Sequence, residues 1–395
     1  MKLRYFLIPF CLFFLVGCSE SQLNRVGIVV AVAIDKDQAT DKIIYTAQVI
    51  RPGSLIKNSS SKEAVIEMVT SEGTTIFEAI RNNTQEFDRI NFYAHTKVII
   101  LSEAVAKDGA LSYLDFFVRG KELRGYTLIC VAKDVEAREI IGVKEGIDNI
   151  GAIYLMNIIE NQKFHNKSIA STVIQYYRDV LKEGINPTMG VLELVDTENY
   201  ANEDKQTNKS QAVKLTGTAV FDKDVLVGYL TEEETKGYNW IHGEAKDVAM
   251  VLPSILEEGR FVTIEIEKQK SKIIPKIKDG DISFTIEVEV NASLVEEQGE
   301  KSIIYPKAML DYLDELKVGA EKQIDEDINI SMKRAQKELD SDIFGFGVAL
   351  NNKYPKKWKE VKDHWDDIFP YIVYDTEIKV NFIGTDLKEG IFEIK

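Results

Sequence analysis

The sequence predicts an α+β protein of several domains, in which a mixed α/β domain precedes antiparallel sheet and helix. Residues 26–34 are continuously apolar and β-branched, which is typical of a strand buried on both faces. Strand-like and helical patterns then alternate up to about residue 197, as they do in α/β domains. Beyond residue 260, apolar and polar side chains alternate with period two, which favours strands with one buried face.

The composition excludes several classes of protein. The chain has 395 residues, enough for two or three domains, and its 45% hydrophobic and 29% charged residues exclude a disordered, coiled-coil or fibrous chain. The mean hydropathy is −0.15 and no run after residue 17 is long and apolar enough to span a bilayer, which argues against a polytopic membrane protein. The net charge of −15 argues against nucleic acid as a partner, because phosphate binding needs clustered cations.

Residues 1–17 predict an export signal. Lys2 and Arg4 form a basic start, and the apolar run at residues 6–16 is too short to cross a membrane. Residues 15–18 (LVGC) have the pattern of a bacterial lipobox, which implies that Cys18 receives a diacylglycerol on its sulfur and becomes the new N-terminus. The alternative is a plain secretory signal followed by a coincidental cysteine. On the lipobox interpretation, residues 18–25 form a lipidated polar tether.

Lipid, rather than charge, would then hold the chain at a bilayer. Loss of Lys2 and Arg4 with the signal takes the net charge from −15 to −17, which an anionic leaflet repels. Two acyl chains suffice for stable anchoring, at about 0.8 kcal/mol per buried CH₂.

Cys11 leaves with the signal, so Cys130 is the remaining free thiol. It lies in a strand-like run, residues 126–132, which predicts a buried structural cysteine rather than a nucleophile.

The N-terminal α/β domain is predicted over residues 26–197. Strands are expected at residues 26–34, 43–50, 94–101 and 126–132, with helices at 74–87 and 104–118, and a longer helical segment at 149–183 ends at residues 184–187 (GINP). Thr74 or Thr75 is the expected N-cap of the first helix. The face of that helix predicted to be buried carries Ile76, Phe77, Ile80, Asn83 and Phe87.

A middle domain is predicted over residues 198–268 and a C-terminal α+β domain over residues 269–395. Residues 196–212 are polar without apolar periodicity and indicate a linker or long loop. A hairpin is expected at 213–221 and 225–230, followed by a helix that begins at residues 231–235 (TEEET). Alternation at 261–267, 281–290 and 374–382 predicts antiparallel strands, and an amphipathic helix is expected from Pro306 to about Asp340.

The search for catalytic and metal-binding patterns finds little. No HExxH, GxSxG, Walker A or GxGxxG motif is present, and no cysteine lies near a histidine with metal-site spacing. Residues 344–347 (FGFG) are a lone GxG after a predicted helix, better explained as a helix stop and tight packing turn than as a phosphate cradle. Residues 232–234 (EEE) fit a solvated helix start better than acid/base catalysis. No catalytic, cofactor-binding or metal-binding residue is therefore assigned. The four histidines are His95, His165, His242 and His364.

Several segments resemble, in order and spacing, one known family over nearly the whole chain. Trp358 and Trp365, one in each of the last two segments and seven residues apart, would share one helix face, as core side chains or as a contact surface. The segments are residues 23–35 (LNRVGIVVAVAID), 45–52 (YTAQVIRP), 215–230 (LTGTAVFDKDVLVGYL), 234–237 (ETKG) with Trp240, 342–347 (DIFGFG), 354–358 (YPKKW) and 365–370 (WDDIFP).

These segments are similar to the Ger(x)C family, the lipoprotein C subunits of bacterial spore germinant receptors. One departure is Ser19, where many members have Trp after the lipidated cysteine, and it affects only the tether. The resemblance implies a lipid-anchored, non-catalytic protein at the outer face of the spore inner membrane. It also implies two partners, a transporter-like B subunit and an A subunit, and a role in the germination response to small nutrients. The only site residue that it transfers is Cys18.

Two alternatives from other classes are open at this point. A solute-binding lipoprotein would capture the small-molecule germinant itself, and it predicts a deep cleft between two α/β lobes. An exported hydrolase of the cell wall predicts convergent carboxylates or a metal site in a pocket, for which the sequence offers no spacing.

Overall fold

The structure is a computed structural model that describes residues 25–50, 65–120, 123–143, 150–198, 209–298 and 306–385. In these residues helices pack on two separate β-sheets, so the predicted α+β class is confirmed.

The first sheet has parallel strands at its centre and antiparallel strands at both sides. In chain order its strands are β1 (Val26–Lys36), β2 (Ile43–Ile50), β3 (Ile66–Gly73), β4 (Ile90–Phe92), β5 (Val98–Ser102), β6 (Leu128–Ala132), β7 (Ser171–Thr172), β8 (Thr188–Glu198), β9 (Lys209–Asp222) and β10 (Val225–Leu230). The spatial order is β10-β9-β8-β6-β5-β1-β2-β3, with β4 beside β1 and β7 beside β6. The pairs β1–β4, β1–β5, β5–β6 and β6–β8 are parallel.

Helices cover both faces of this sheet, which is why its central strands are apolar throughout. Along β1, Val32 and Ile34 belong to one core, and Ala31 and Ala33 to the core on the opposite face. The helices are α1 (Ile76–Asn83), α2 (Glu103–Lys107), α3 (Ala110–Arg119) and α6 (Val173–Val180) on the first core, and α4 (Ala137–Gly142) and α5 (Gly151–Glu160) on the second.

The predicted helices of this half are partly confirmed. Thr75 caps α1 through its hydroxyl oxygen, but Phe77, predicted on the buried face, is 51% exposed. The helix predicted over 104–118 is two helices, because Gly109 adopts a left-handed conformation between them. The segment predicted as helical over 149–183 holds α5, a 3₁₀ turn, the short strand β7 and α6.

The second sheet has four strands and one long helix across its face. The strands are β11 (Val248–Pro253), β12 (Phe261–Lys278), β13 (Asp281–Glu297) and β14 (Val373–Thr385), paired in that order. The helices are α7 (Glu232–His242), α8 (Pro306–Lys337), α9 (Phe346–Lys353), α10 (Pro355–Val361) and α11 (Trp365–Ile368). The predicted long helix is confirmed as α8, whose Ile324, Ile328 and Met332 are fully buried.

The direction predicted for the last strand is wrong. β12 and β13 are antiparallel, but β14 runs parallel to β13, with Phe284 opposite Tyr374. The helices between β13 and β14 return the chain to the end at which β13 begins, and such a crossover connection produces parallel strands.

The division of the described residues between the two sheets differs from the domain bounds that composition predicts. β9 pairs with β8 from Lys209 to Val220, so residues 209–230 extend the first sheet. The described ends of the polar stretch, residues 196–198 and 209–212, belong to these two antiparallel strands. The bound predicted between residues 268 and 269 falls inside β12.

Candidate functional surfaces

Cys18, the residue predicted to carry the lipid, lies outside the described residues, as does Cys11. The first described residue is Arg25, and β1 begins at Val26, which pairs with Ile90 at the start of β4. β1 and β4 begin side by side at one edge of the first sheet, and we call this edge the anchor edge. A lipid on Cys18 would be separated from this edge by residues 19–25 alone.

An apolar groove lies beside the anchor edge, between α1 and α3. Its volume is about 270 Å³, and its walls include Phe77, Ile80, Ile90, Tyr93, Phe116 and Leu123. Phe77 and Ile90 are 51% and 58% exposed, although both side chains are large and apolar. The guanidinium of Arg81 lies 5.0 Å from the centre of the Phe77 ring at the rim. We call this feature the anchor-edge groove.

Asp342 is the centre of the junction between the two sheets. Its Oδ1 accepts hydrogen bonds from the backbone N–H groups of Gly345 and Phe346, at 2.9 and 3.1 Å, at the start of α9. Its Oδ2 accepts from the backbone N–H of Gly347 and from the Trp365 indole, both at 2.9 Å. Burial raises the pKa of Asp342 to about 6, although all four donors act to lower it.

The packing interpretation of residues 344–347 is confirmed, but the predicted helix stop is wrong, because α8 already ends at Lys337 and Gly345 is the N-cap of α9. Gly345 has φ +82°, and a Cβ on Gly347 would lie 2.8 Å from the Trp358 ring. The backbone N–H groups that would otherwise face an anion are already bonded to the Asp342 carboxylate. Trp358 and Trp365 are both buried, with ring centroids 5.3 Å apart, but they lie on two helices rather than on one face of a single helix.

The segment predicted to break the helix, residues 184–187, docks onto this turn. The backbone N–H of Asn186 donates to the Asp342 carbonyl at 2.8 Å, and its side-chain amide donates to Ser341 Oγ at 3.0 Å. Gly184 accepts from the backbone N–H of Val348 at 3.1 Å. Residues 184–187 therefore meet the family-like segment 342–347 at a junction whose contacts are structural.

The histidines do not converge on a reactive centre. His242, half-buried in α7, lies against Tyr238 with ring centroids 4.1 Å apart, and its Nε2 lies 3.1 Å from the carbonyl of Ile343. Burial lowers the pKa of His242, so its neutral form is favoured. The exposed His364 lies 3.8 Å from Asp367. In the part of the chain that the structure describes, no three His, Cys, Asp or Glu side chains could hold one metal ion.

The glutamates at the start of α7 act as helix-start residues, as predicted. Thr231 caps α7 through the backbone N–H of Glu234, and Glu234 accepts in return from the backbone N–H of Thr231. Glu232 pairs with Lys214, and Glu233 pairs with Lys236. Each carboxylate is thus satisfied by a cap or a cation.

Cys130 lies at the centre of β6 and is fully buried, which confirms its predicted structural role. Burial raises the pKa of its thiol, so it has no thiolate character at neutral pH.

We expect a water-soluble maleimide to label Cys130 only after denaturation. Peptide mapping of protein labelled with and without guanidinium tests this, and labelling of the folded protein at the rate of free cysteine would contradict it.

The Asp342 junction and the anchor-edge groove are not evident from the sequence alone. Asp followed three residues later by Gly-x-Gly is a weak signal for a carboxylate that caps a helix start. The groove has no such signal, because in the sequence Phe77 continues the apolar face of its helix. Among the described residues, no helix combines the length and the hydropathy needed to cross a bilayer.

Comparison with known proteins identifies the family. The family model described as "Spore germination protein N-terminal domain" matches residues 19–194, and "Spore germination B3/ GerAC like, C-terminal" matches residues 216–385. The chain belongs to the Ger(x)C family of spore germination proteins. The Ger(x)C family resemblance seen in the sequence is thereby confirmed across both halves of the chain.

Individual relatives agree over almost their full length. The chain is 27% identical to spore germination protein YndF of Bacillus subtilis (strain 168), over 93% of both chains. It is 25% identical to spore germination protein B3 of the same strain, over 97% of this chain and 98% of the relative. The crystal structure of the GerBC protein shares the fold, with a TM-score of 0.52 and 21% identity over 89% of this chain and 96% of that one.

Proposed function

We propose that this Ger(x)C protein is a lipid-anchored, non-catalytic subunit of a nutrient germinant receptor. It is held at the outer face of the spore inner membrane by diacylglycerol on Cys18. It works beside a transporter-like B subunit and an A subunit, and it is needed for the germination response to small nutrients. The observation that carries this proposal is the match of two spore germination family models to residues 19–194 and 216–385.

The arrangement of the described residues supports an assembly role rather than catalysis. At the junction, the Asp342 carboxylate bonds to backbone N–H groups and to the Trp365 indole, and the Asn186 amide bonds to Ser341. The one described cysteine is buried. By contrast, exposed apolar side chains collect at the edge of the sheet that follows the tether.

The anchor is tested by the substitution Cys18→Ala in the full-length chain. We expect the protein to move from the membrane fraction to the soluble fraction, because no other lipidation site is predicted and the acidic chain is repelled by anionic lipid. The nutrient response of the spores should fall with it. Fractionation of spore membranes and germination assays measure both effects.

Ser19→Ala is the matched control, since it changes the next residue of the tether and leaves the sulfur in place. A Cys18→Ala protein that stays in the membrane fraction, in spores that germinate normally, would contradict the anchoring proposal.

A solute-binding lipoprotein is the second candidate, and one cavity favours it. This cavity, about 270 Å³, lies between α6 and α7 and is lined by charged and polar side chains that include Arg178, Asp179, Lys182 and Asn239. Against it, the second sheet has one helix-covered face and does not form a second α/β lobe around a deep cleft. A nutrient that raises the melting temperature of the isolated protein would favour this candidate.

A further inference from the structure

We propose that the anchor-edge groove is the docking site for an apolar segment of an integral-membrane protein. The inference rests on the proposed function, because it requires the chain to be anchored through Cys18. It adds the surface that makes the contact and the chemistry of the segment that fills it. The groove receives apolar side chains of the partner, and Arg81 at its rim pairs with a partner carboxylate.

The position of the groove in the chain is the first argument. Ile90, which lines the groove, pairs with Val26, the first residue of β1. Residues 19–25 span at most about 25 Å when fully extended. An anchored chain therefore holds this groove within a tether length of the bilayer surface, where membrane-embedded proteins expose loops and helix ends.

The exposed side chains are the second argument. Phe77 and Ile90 are more than half exposed, and they flank an apolar concavity formed with Phe116 and Leu123. Exposed apolar surface that lines a groove and has a polar rim is typical of protein interaction sites. The rim cation Arg81 keeps its guanidinium over the Phe77 ring while it stays open to solvent. A carboxylate placed beside apolar side chains therefore complements the whole groove.

The shape and charge of the chain favour a protein segment over the bilayer itself. A concave groove between α1 and α3 is filled by a projecting side chain, whereas lipid insertion needs apolar side chains that project outward. The mature chain carries a charge of −17, which opposes close approach to anionic headgroups. Tethering also raises the effective concentration of a membrane partner, so a contact of this small size is enough to hold the complex.

The test uses the full-length lipidated protein with Phe77→Glu and Ile90→Glu combined. Both side chains are largely exposed, so the double variant should keep the melting temperature and membrane attachment of the wild type. Co-purification of the receptor's membrane subunits, crosslinked in intact spore membranes before detergent is added, should fall at least tenfold. Val251→Glu, on β11 of the second sheet and 57% exposed in the wild type, is the matched control and should co-purify normally.

A photo-crosslinking amino acid at position 77 identifies the occupant directly. An adduct that maps by mass spectrometry to an apolar segment of a membrane subunit supports the proposal. An adduct with lipid, or with a second copy of this chain, overturns it. If the double variant co-purifies the same subunits as the wild type, the groove is not the docking site and the receptor role stands. If the wild type itself co-purifies no integral-membrane protein, the proposed function fails and this inference fails with it.

Discussion

Replacing Gly237 by alanine is expected to destabilise the protein by about 3 kcal/mol or more. Gly237 lies where α7 crosses α8, and a Cβ at this position would be 2.0 Å from the carbonyl oxygen of Asp327 and 2.6 Å from Ser331 Cβ. The obstacle is helix backbone, which cannot move aside as a flexible side chain does. The two helices must therefore separate.

Separation also affects a buried hydrogen bond one turn along α7. The Trp240 indole donates to Asp327 Oδ2 at 2.9 Å, and Trp240 is among the largest fully buried side chains. Burial raises the pKa of Asp327, while the hydrogen bonds that its carboxylate accepts from Trp240 and Gln323 act to lower it. A shift of α8 would weaken this bond and open space around the indole ring.

The matched control is Gly319→Ala, in α8 itself. A Cβ on Gly319 would meet nothing within 4 Å, so alanine there should be neutral or stabilising by about 0.5–1 kcal/mol. Urea unfolding of the three proteins measures the difference. Equal stability of the Gly237→Ala variant and the wild type would show that the helices do not cross as closely as the structure has them.

Local pattern predicted most strands and the long helix, because burial on one face leaves a periodic pattern in the sequence and burial on both faces leaves a continuous apolar run. The run at residues 26–34 and the alternation at 281–290 lie within β1 and β13. The groups of strands that form each sheet depend on long-range pairing, which periodicity does not encode. Composition therefore assigns residues 209–222 to a separate middle domain, although the strand that they form, β9, pairs with β8.

The close approach of two helices at Gly237 and the exposure of Phe77 could not be predicted from periodicity for a different reason. Gly237 has no turn or cap role within α7, and its absent side chain matters only because α8 approaches it. The Phe77 ring continues an apolar helix face in sequence, and only the packing of α1 against α3 leaves it exposed. Close approach and exposure of this kind follow from tertiary structure alone.

Replacing Asp342 by alanine is expected to destabilise the protein by about 4 kcal/mol or more. The change leaves four buried donors without an acceptor: the backbone N–H groups of Gly345, Phe346 and Gly347 and the indole of Trp365. Each unpaired buried donor costs roughly 1–3 kcal/mol. Asp367→Ala is the control, since that carboxylate is exposed and lies 3.8 Å from His364. Equal unfolding midpoints of the Asp342→Ala and Asp367→Ala proteins would contradict the role given to the junction.

Asp342 also predicts a specific dependence of stability on pH. Its pKa is about 6 in the folded protein and about 4 in an unfolded chain, so the folded state binds its proton more tightly. This stabilisation is complete below pH 4 and is lost as the pH rises through 6. The loss between pH 4.5 and 7.5 amounts to about 2 kcal/mol for this group alone. Asp35, buried with a pKa of about 6 at the start of α4, adds a second contribution of the same sign.

The Asp342→Asn protein isolates the contribution of Asp342, because asparagine keeps the size of the side chain and does not titrate. We expect the wild type to lose about 2 kcal/mol more than this variant between pH 4.5 and 7.5, whatever the stability of the variant at one pH. Using the difference between the two proteins cancels the titration of Asp35 and of the surface carboxylates, which are present in both. Parallel stability curves for the two proteins would mean that the Asp342 carboxyl group has the same pKa folded and unfolded, so that its four donors fully offset its burial.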